Sequence, residues 1–192
     1  MKRIVIVGNA GSGKSTFARK LGARLGIPVV HLDELNWNPG WKVLPPEEFR
    51  VRLQEALSGD AWITDGNYAL LTFDLRLPRA DVVIWVERPV AGCILRVIRR
   101  AIGSYFRKDE HLAAGCPERF DRRFWDRLRF IWNFNRINRP RIQEALKSHG
   151  PAVPVVTLRG DRQISAFLES TSSQKSHLDY AELRRGGSAD AK

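Results

Sequence analysis

The chain reads as an α/β protein with a parallel sheet covered by helices on both faces. Two observations predict this class. Five apolar runs, at residues 4–7, 28–32, 61–64, 81–86 and 153–158, have the length and continuity of strands buried on both faces. Between them lie segments with apolar residues three and four apart, the pattern of crossover helices, which wrap such a sheet with right-handed connections. At 192 residues the chain fits one domain with a sizeable core.

The first run, Ile4-Val5-Ile6-Val7, leads directly into Gly8-Asn9-Ala10-Gly11-Ser12-Gly13-Lys14-Ser15, a complete G-x-x-x-x-G-K-[ST] sequence, and Thr16 continues into a helix that ends near Gly26. A strand feeding a glycine-rich turn that opens a helix directs several backbone N–H groups at one spot, where polyphosphate oxygens can sit. Residues 8–16 are therefore the candidate nucleotide-binding loop. Lys14 supplies a point charge for the β- and γ-phosphates of ATP, and the Ser15 hydroxyl is placed to ligate Mg²⁺.

The second run ends on Asp33. Ligands of open α/β sheets bind at the carboxyl ends of the strands, so Asp33 is a candidate for gripping or deprotonating a phosphoryl acceptor; a loop carboxylate or helix cap is the plainer alternative. His31, alone in an apolar strand, reads as packed. Asn36-Trp37-Asn38-Pro39-Gly40-Trp41 is a loop whose tryptophans either stack on a planar substrate or clasp the segment to the core. A helix started by Pro45 and Pro46 runs through Leu57. The third run delivers Asp65-Gly66-Asn67-Tyr68, and an acid there is where nucleotide-binding loops find their Mg²⁺ carboxylate, so Asp65 is the candidate metal residue beside Ser15.

After the fourth run a helix begins near Pro89 and sets Arg96 and Arg100 on one face. Residues 103–118 lack clear periodicity and contain Gly103, Gly115 and Pro117, as expected of a lid. From 119 to 142 a long helical pattern places Phe120, Phe124, Leu128 and Ile131 on a core face, with arginines elsewhere. A short helix at 163–168 follows the fifth run, and 170–192 is polar and expected to be disordered, leaving 1–169 as the domain.

The formal net charge is +11, and eight arginines fall between 119 and 141. That balance favours a polyanionic ligand: a nucleotide, a phosphorylated metabolite or nucleic acid. Arginines interleaved with aromatics also suit nucleic-acid contact, which leaves an ATP-binding regulator acting through this basic helix as the alternative to an enzyme. Cys93 and Cys116 lack metal-ligand or Cys-x-x-Cys spacing and read as reduced thiols. The absence of a signal peptide or a ~20-residue apolar span predicts a cytoplasmic protein. No Asn-Lys-x-Asp segment is present to read guanine.

The order of these parts resembles the adenylate-kinase-like P-loop kinases. More narrowly, it is similar to the bacterial family called DNA topology modulation or adenylate kinase-related proteins. The resemblance spans about 1–169 and is carried by residues 7–16, His31-Leu32-Asp33, Asp65-Gly66-Asn67-Tyr68, residues 75–81 and residues 115–120. It implies a three-layer P-loop NTPase fold, a sheet in the order 2-3-1-4-5, and transfer of the ATP γ-phosphoryl group to a small acceptor. It also implies that Arg96, Arg100, Arg119 and Arg123 neutralise the migrating charge. Asn67-Tyr68-Ala69 replaces the Phe-Pro-Arg of adenylate kinases, with Arg76 a candidate substitute for that arginine, and the glycine triplet of shikimate kinases is missing. The acceptor stays open.

Overall fold

The computed structural model describes residues 1–38, 40, 42–106 and 121–173. β1 (Arg3–Gly8) leads through the glycine turn into α1 (Lys14–Leu25). β2 (Val29–His31) and the short α2 (Leu32–Asn36) follow, then β3 (Trp37–Asn38), β4 (Lys42–Val43) and α3 (Pro46–Ala56). The middle of the chain holds β5 (Trp62–Asp65), α4 (Ala69–Arg76), β6 (Val82–Glu87) and α5 (Val90–Phe106). α6 (Arg122–Asn133) continues through a π-helical turn, Phe134–Asn138, into α7 (Arg139–His149), and β7 (Val155–Arg159) and α8 (Gly160–Ser173) come last.

The five main strands form a parallel sheet in the order β2-β5-β1-β6-β7, the expected 2-3-1-4-5 arrangement. Alternation along β1 divides the core. Val5 and Val7 face a cluster built with Phe49, Phe73, Trp85 and Ile142, while Ile4 and Ile6 face Phe17, Leu21, Ile84 and Phe167. Helices α3, α4 and α7 thus cover one face and α1 and α8 the other. α5 and α6 share a third cluster around Cys93, Val97, Phe124 and Ile131. Among the described residues, no helix is long and apolar enough to cross a membrane.

Several boundaries differ from expectation. Leu32 opens α2 rather than ending β2, because it is wholly buried while Asp33 and Glu34 suit a helix's first turn. The tryptophan loop contains an antiparallel ribbon, Trp37 opposite Val43, turned at Gly40 with φ +78°; Trp41 lies outside the described residues. Residues 103–106 continue α5 instead of starting a lid: one interior glycine costs only about 1 kcal/mol, too little to stop a helix anchored by Cys93, Val97 and Ala101. The remaining lid expectation, 107–118, lies outside the described residues.

The pattern read at 119–142 begins at Arg122, where the Asp121 carboxylate caps the Phe124 N–H at 3.2 Å, and extends to His149. Pro140 explains its interruption. A proline has no N–H to donate and its ring crowds the carbonyl one turn back, and the chain widens into the π turn just before it. α8 spans Gly160–Ser173, well beyond 163–168, with the Thr171 hydroxyl donating back to Leu168 O at 2.7 Å. The rest of the expected tail, 174–192, lies outside the described residues.

Candidate functional site

β1 carries the chain to the carboxyl edge of the sheet, where Gly8 and Gly11 turn it with φ +151° and +78°. A side chain at Gly8 would run into the Val86 carbonyl, and one at Gly11 would lie 2.5 Å from Cys93 O, so the loop can be this close to β6 and α5 only with glycine. Gly13, at φ +94°, precedes α1 and provides no side-chain cap. The amides of Lys14, Ser15 and Thr16 accordingly have no acceptor within the helix, and all three residues line a cavity of about 750 Å³.

The loop is braced from three sides. Asn67 forms a reciprocal amide pair with Gly8: the Gly8 N–H donates to Asn67 Oδ1 and Asn67 Nδ2 donates to Gly8 O, both at 3.0 Å. Asn9, buried, donates from Nδ2 to Ile131 O at 3.1 Å, tying the loop to α6. Arg88 Nε donates to Ser12 O at 2.8 Å, while its guanidinium also pairs with Asp161; Arg96 reaches the same two partners at 3.4 Å.

Asp65 ends β5 beside this loop, almost fully buried. His31 Nδ1 meets its Oδ2 at 2.9 Å, and its Oδ1 has no hydrogen-bond partner among the described residues. Burial pushes the Asp65 carboxyl up, but the His31 hydrogen bond, the Lys14 charge and the Ser15 hydroxyl outweigh it and hold the group below its ordinary range. The same hydrogen bond raises His31 against its own desolvation. A buried carboxylate kept ionised with one oxygen unpartnered, next to a serine hydroxyl, is an oxygen donor set that fits a hard divalent cation. No group of three or more His, Cys, Asp or Glu among the described residues could hold a metal alone, so an ion here would share its coordination with a ligand.

Asp33 stands on the first turn of α2. Its Oδ1 accepts a hydrogen bond from the Tyr68 hydroxyl at 2.7 Å, and that hydroxyl accepts from Asn36 Nδ2 at 3.3 Å. Burial, followed by the Asp33 charge, drives the Tyr68 phenol far up, so it stays a donor. Tyr68 has φ +36°, the one non-glycine residue with positive φ among those described. That left-handed conformation costs roughly 1 kcal/mol, and the ring packs on Phe49 with centroids 5.1 Å apart.

Arg76 overturns its expectation. It is fully buried and donates to Thr64 Oγ1 (3.4 Å), Gly66 O (3.0 Å) and Asn67 O (2.5 Å), with its pKa pushed down to about 9 by burial. It braces the segment after β5 and cannot reach a ligand. His31, read as merely packed, is instead the Asp65 partner and lines the cavity.

The cavity unites Lys14, Ser15, Asp65 and Asp33 with Arg96 and Arg100 of α5. Arg123 is exposed on the first turn of α6 and does not line it; Arg119 lies outside the described residues. Arg127, four residues beyond Arg123, and Arg141 of α7 do line it, together with Phe130 and Asn138. Both arginines belong to the sequence cluster, but which face of each helix meets the cavity is fixed by packing, of α6 on α5 and of α7 on α4.

No family model matches the chain. It is 33% identical over 105 residues to the shikimate kinase of Corynebacterium efficiens and 31% identical over 105 residues to that of Corynebacterium glutamicum. Each match takes in 48% of this chain and 62% of the relative, so the chain spans less than two thirds of these relatives' length. Among solved structures, the shikimate kinase from Acinetobacter baumannii in complex with shikimate superposes with a TM-score of 0.51 at 20% identity, covering 92% of this chain and 96% of that one. The chain thus shares the α/β fold of that shikimate kinase.

Proposed function

We propose that the chain is a Mg-ATP-dependent phosphotransferase that passes the γ-phosphoryl group of ATP to the hydroxyl of a small acceptor. The observation that carries this reading is the convergence on one cavity of Lys14, Ser15 and Asp65 at the glycine loop and Asp33 across from them. Residues 8–16 cradle the phosphates through backbone N–H groups and Lys14. Ser15 and Asp65 would hold Mg²⁺, which when bound neutralises charge on the phosphate oxygens. Arg96 and Arg100 of α5, with Arg127 of α6 and Arg141 of α7, line the same cavity and neutralise the charge on the transferred group. Asp33 orients the acceptor hydroxyl and takes its proton.

The catalytic unit runs from residue 1 to the end of α8 at Ser173, with a polar tail beyond it, and the site of action is the cytoplasm, where ATP is abundant and the buried Cys93 stays a free thiol. Within the P-loop kinases, the motif order supports a reading of the chain as similar to the DNA topology modulation or adenylate kinase-related proteins. The test is ADP release measured with ATP and Mg²⁺ against a panel of nucleosides, nucleotides and hydroxylated acids that includes shikimate. One acceptor should stimulate release, and Lys14→Ala should remove that stimulation by about a thousandfold while leaving the melting temperature in place. Undiminished release by the variant would refute the assignment.

A further inference from the structure

Helix α6 spends one face on the core: Phe124 and Ile131 are buried against Cys93, Val97 and Ala101 of α5. A second face, with Arg127 and Phe130, borders the cavity. Neither accounts for Trp125 and Trp132, which are 63% and 70% exposed. They stand seven residues apart, two turns or about 10 Å along the helix, with Arg129 between them on the same line. Arg122 continues that line at one end and Arg136 at the other, in the π turn. The single acid on the helix, Asp126, is 4.0 Å from Arg122. Arg129 and Arg136 make no ion pair with any described residue.

Large aromatics this exposed are uncommon on a folded surface and point to a partner. The pattern also says which partner. A helix that lies on a membrane separates its apolar stripe from its basic one, whereas here indole and guanidinium alternate along one stripe and the true apolar face is already buried. A second copy docked through this face would oppose arginine to arginine. An unpaired polynucleotide alternates flat bases with phosphates, and stacking plus phosphate pairing is how proteins hold it; in a duplex the base faces are hidden. The net charge of +11 adds long-range attraction for such a polyanion.

We propose that the exposed stripe of α6 is a binding site for single-stranded nucleic acid, with bases stacking on Trp125 and Trp132 and phosphates pairing with Arg122, Arg129 and Arg136. This site is separate from the phosphotransferase cavity. Arg127 and Arg129, and likewise Phe130 and Trp132, are two residues apart and so about 200° apart around the helix. A strand can therefore occupy the stripe while the cavity is filled.

The experiment is fluorescence anisotropy with the full chain and end-labelled oligo-dT and oligo-rU of about 20 nucleotides, beside a duplex of the same length and vesicles of phosphatidylglycerol with phosphatidylcholine. Single strands should bind at least about tenfold more tightly than duplex and quench tryptophan emission. The oligo-dT and oligo-rU arms decide between DNA and RNA. Trp125→Ala and Trp132→Ala should each weaken binding about tenfold, and Arg129→Gln with Arg136→Gln should lower the salt slope between about 50 and 200 mM by about 1.4. All four positions are on the surface, and circular dichroism and melting verify folding. The proposal is overturned by absence of saturable single-strand binding, by equal affinity for duplex, or by binding that both tryptophan variants retain. Binding to vesicles but not to oligonucleotides would likewise assign the face to a membrane, and a dimer lost on Trp132→Ala would assign it to a second copy. None of these outcomes depends on whether an acceptor is phosphorylated.

Discussion

The two walls of the cavity are built on opposite plans. On the β5 side, Asp65, Asn67, Tyr68 and Arg76 are hydrogen-bonded to one another's neighbourhood: Asn67 to the Gly8 backbone, Tyr68 to Asp33, Arg76 to three acceptors in residues 64–67. On the helical side, arginines project from α5, α6 and α7; Arg141 makes no ion pair with a described residue, and both contacts of Arg96 stretch to 3.4 Å. One wall is shaped before any ligand arrives. The other carries charge whose natural counterpart is an anion. Transfer of a phosphoryl group calls for both, rigid placement of the reacting atoms and positive charge that meets them.

If that contrast is real, substitutions on the two walls must fail differently. The largest expected effect is Arg76→Met, which strands the Gly66 and Asn67 carbonyls and should cost about 3 kcal/mol. In a chain of this size that is a fall of about 6–12 °C in melting temperature, whereas Arg141→Met should leave melting within about 1 °C and impair acceptor-dependent turnover. Similar melting losses for the two variants would erase the distinction. Next comes Asn67→Ala. It leaves both Gly8 backbone groups without their partner and should cost about 2 kcal/mol, with weaker Mg-ATP binding by calorimetry; unchanged binding would mean that the amide pair does not hold the loop.

Tyr68→Phe sharpens the comparison within the rigid wall. The ring stays against Phe49, so melting and Mg-ATP affinity should be preserved, while acceptor-dependent kcat falls about tenfold because the Asp33 carboxylate loses its charge-assisted bond. A uniform loss in every parameter would make Tyr68 structural only. The smallest effect lies near the helical wall, at Glu87, which pairs with Arg139 and with Arg159 at 3.0 Å. Burial pushes its carboxyl up, but the Arg159 and Arg139 hydrogen bonds prevail and hold it below 4.5. A carboxyl lowered in the folded state stabilises above its unfolded pKa and loses that contribution as pH falls through the folded one. The melting difference between the parent and Glu87→Gln, worth less than about 1 kcal/mol, should thus be full near neutrality and vanish in acid; a difference constant with pH would contradict the pairing.

The sheet and the glycine loop were legible because their signals are local. Apolar runs of strand length, one loop motif and acids at strand ends determine order and edge, and Ser15 and Asp65 meet where that order puts them. Arg76 was not legible: an arginine one helix past the loop looks like a ligand-binding group, and only the closure of α4 over residues 64–67 buries it. The Asn67 pair with Gly8 joins residues 59 apart in sequence, and no periodicity reports such a bond. Helix ends at Phe106 and Ser173 were misjudged for a different reason, since one glycine or a few serines weaken a helix by less than packing strengthens it.

The π turn at Phe134–Asn138 is where one helical run changes allegiance: α6 before it packs with α5, and Phe134 and α7 after it join the core over α4. A wide turn holds one residue more than an ordinary one. Deleting an exposed residue there, such as Asn135, would restore the regular winding and leave Ile131 and Ile142 in their beds, whereas a deletion within α6 or α7 would swing everything beyond it by about 100°. The joint should therefore tolerate a lost codon better than the helices on either side of it, since its surplus residue can go without rotating either face.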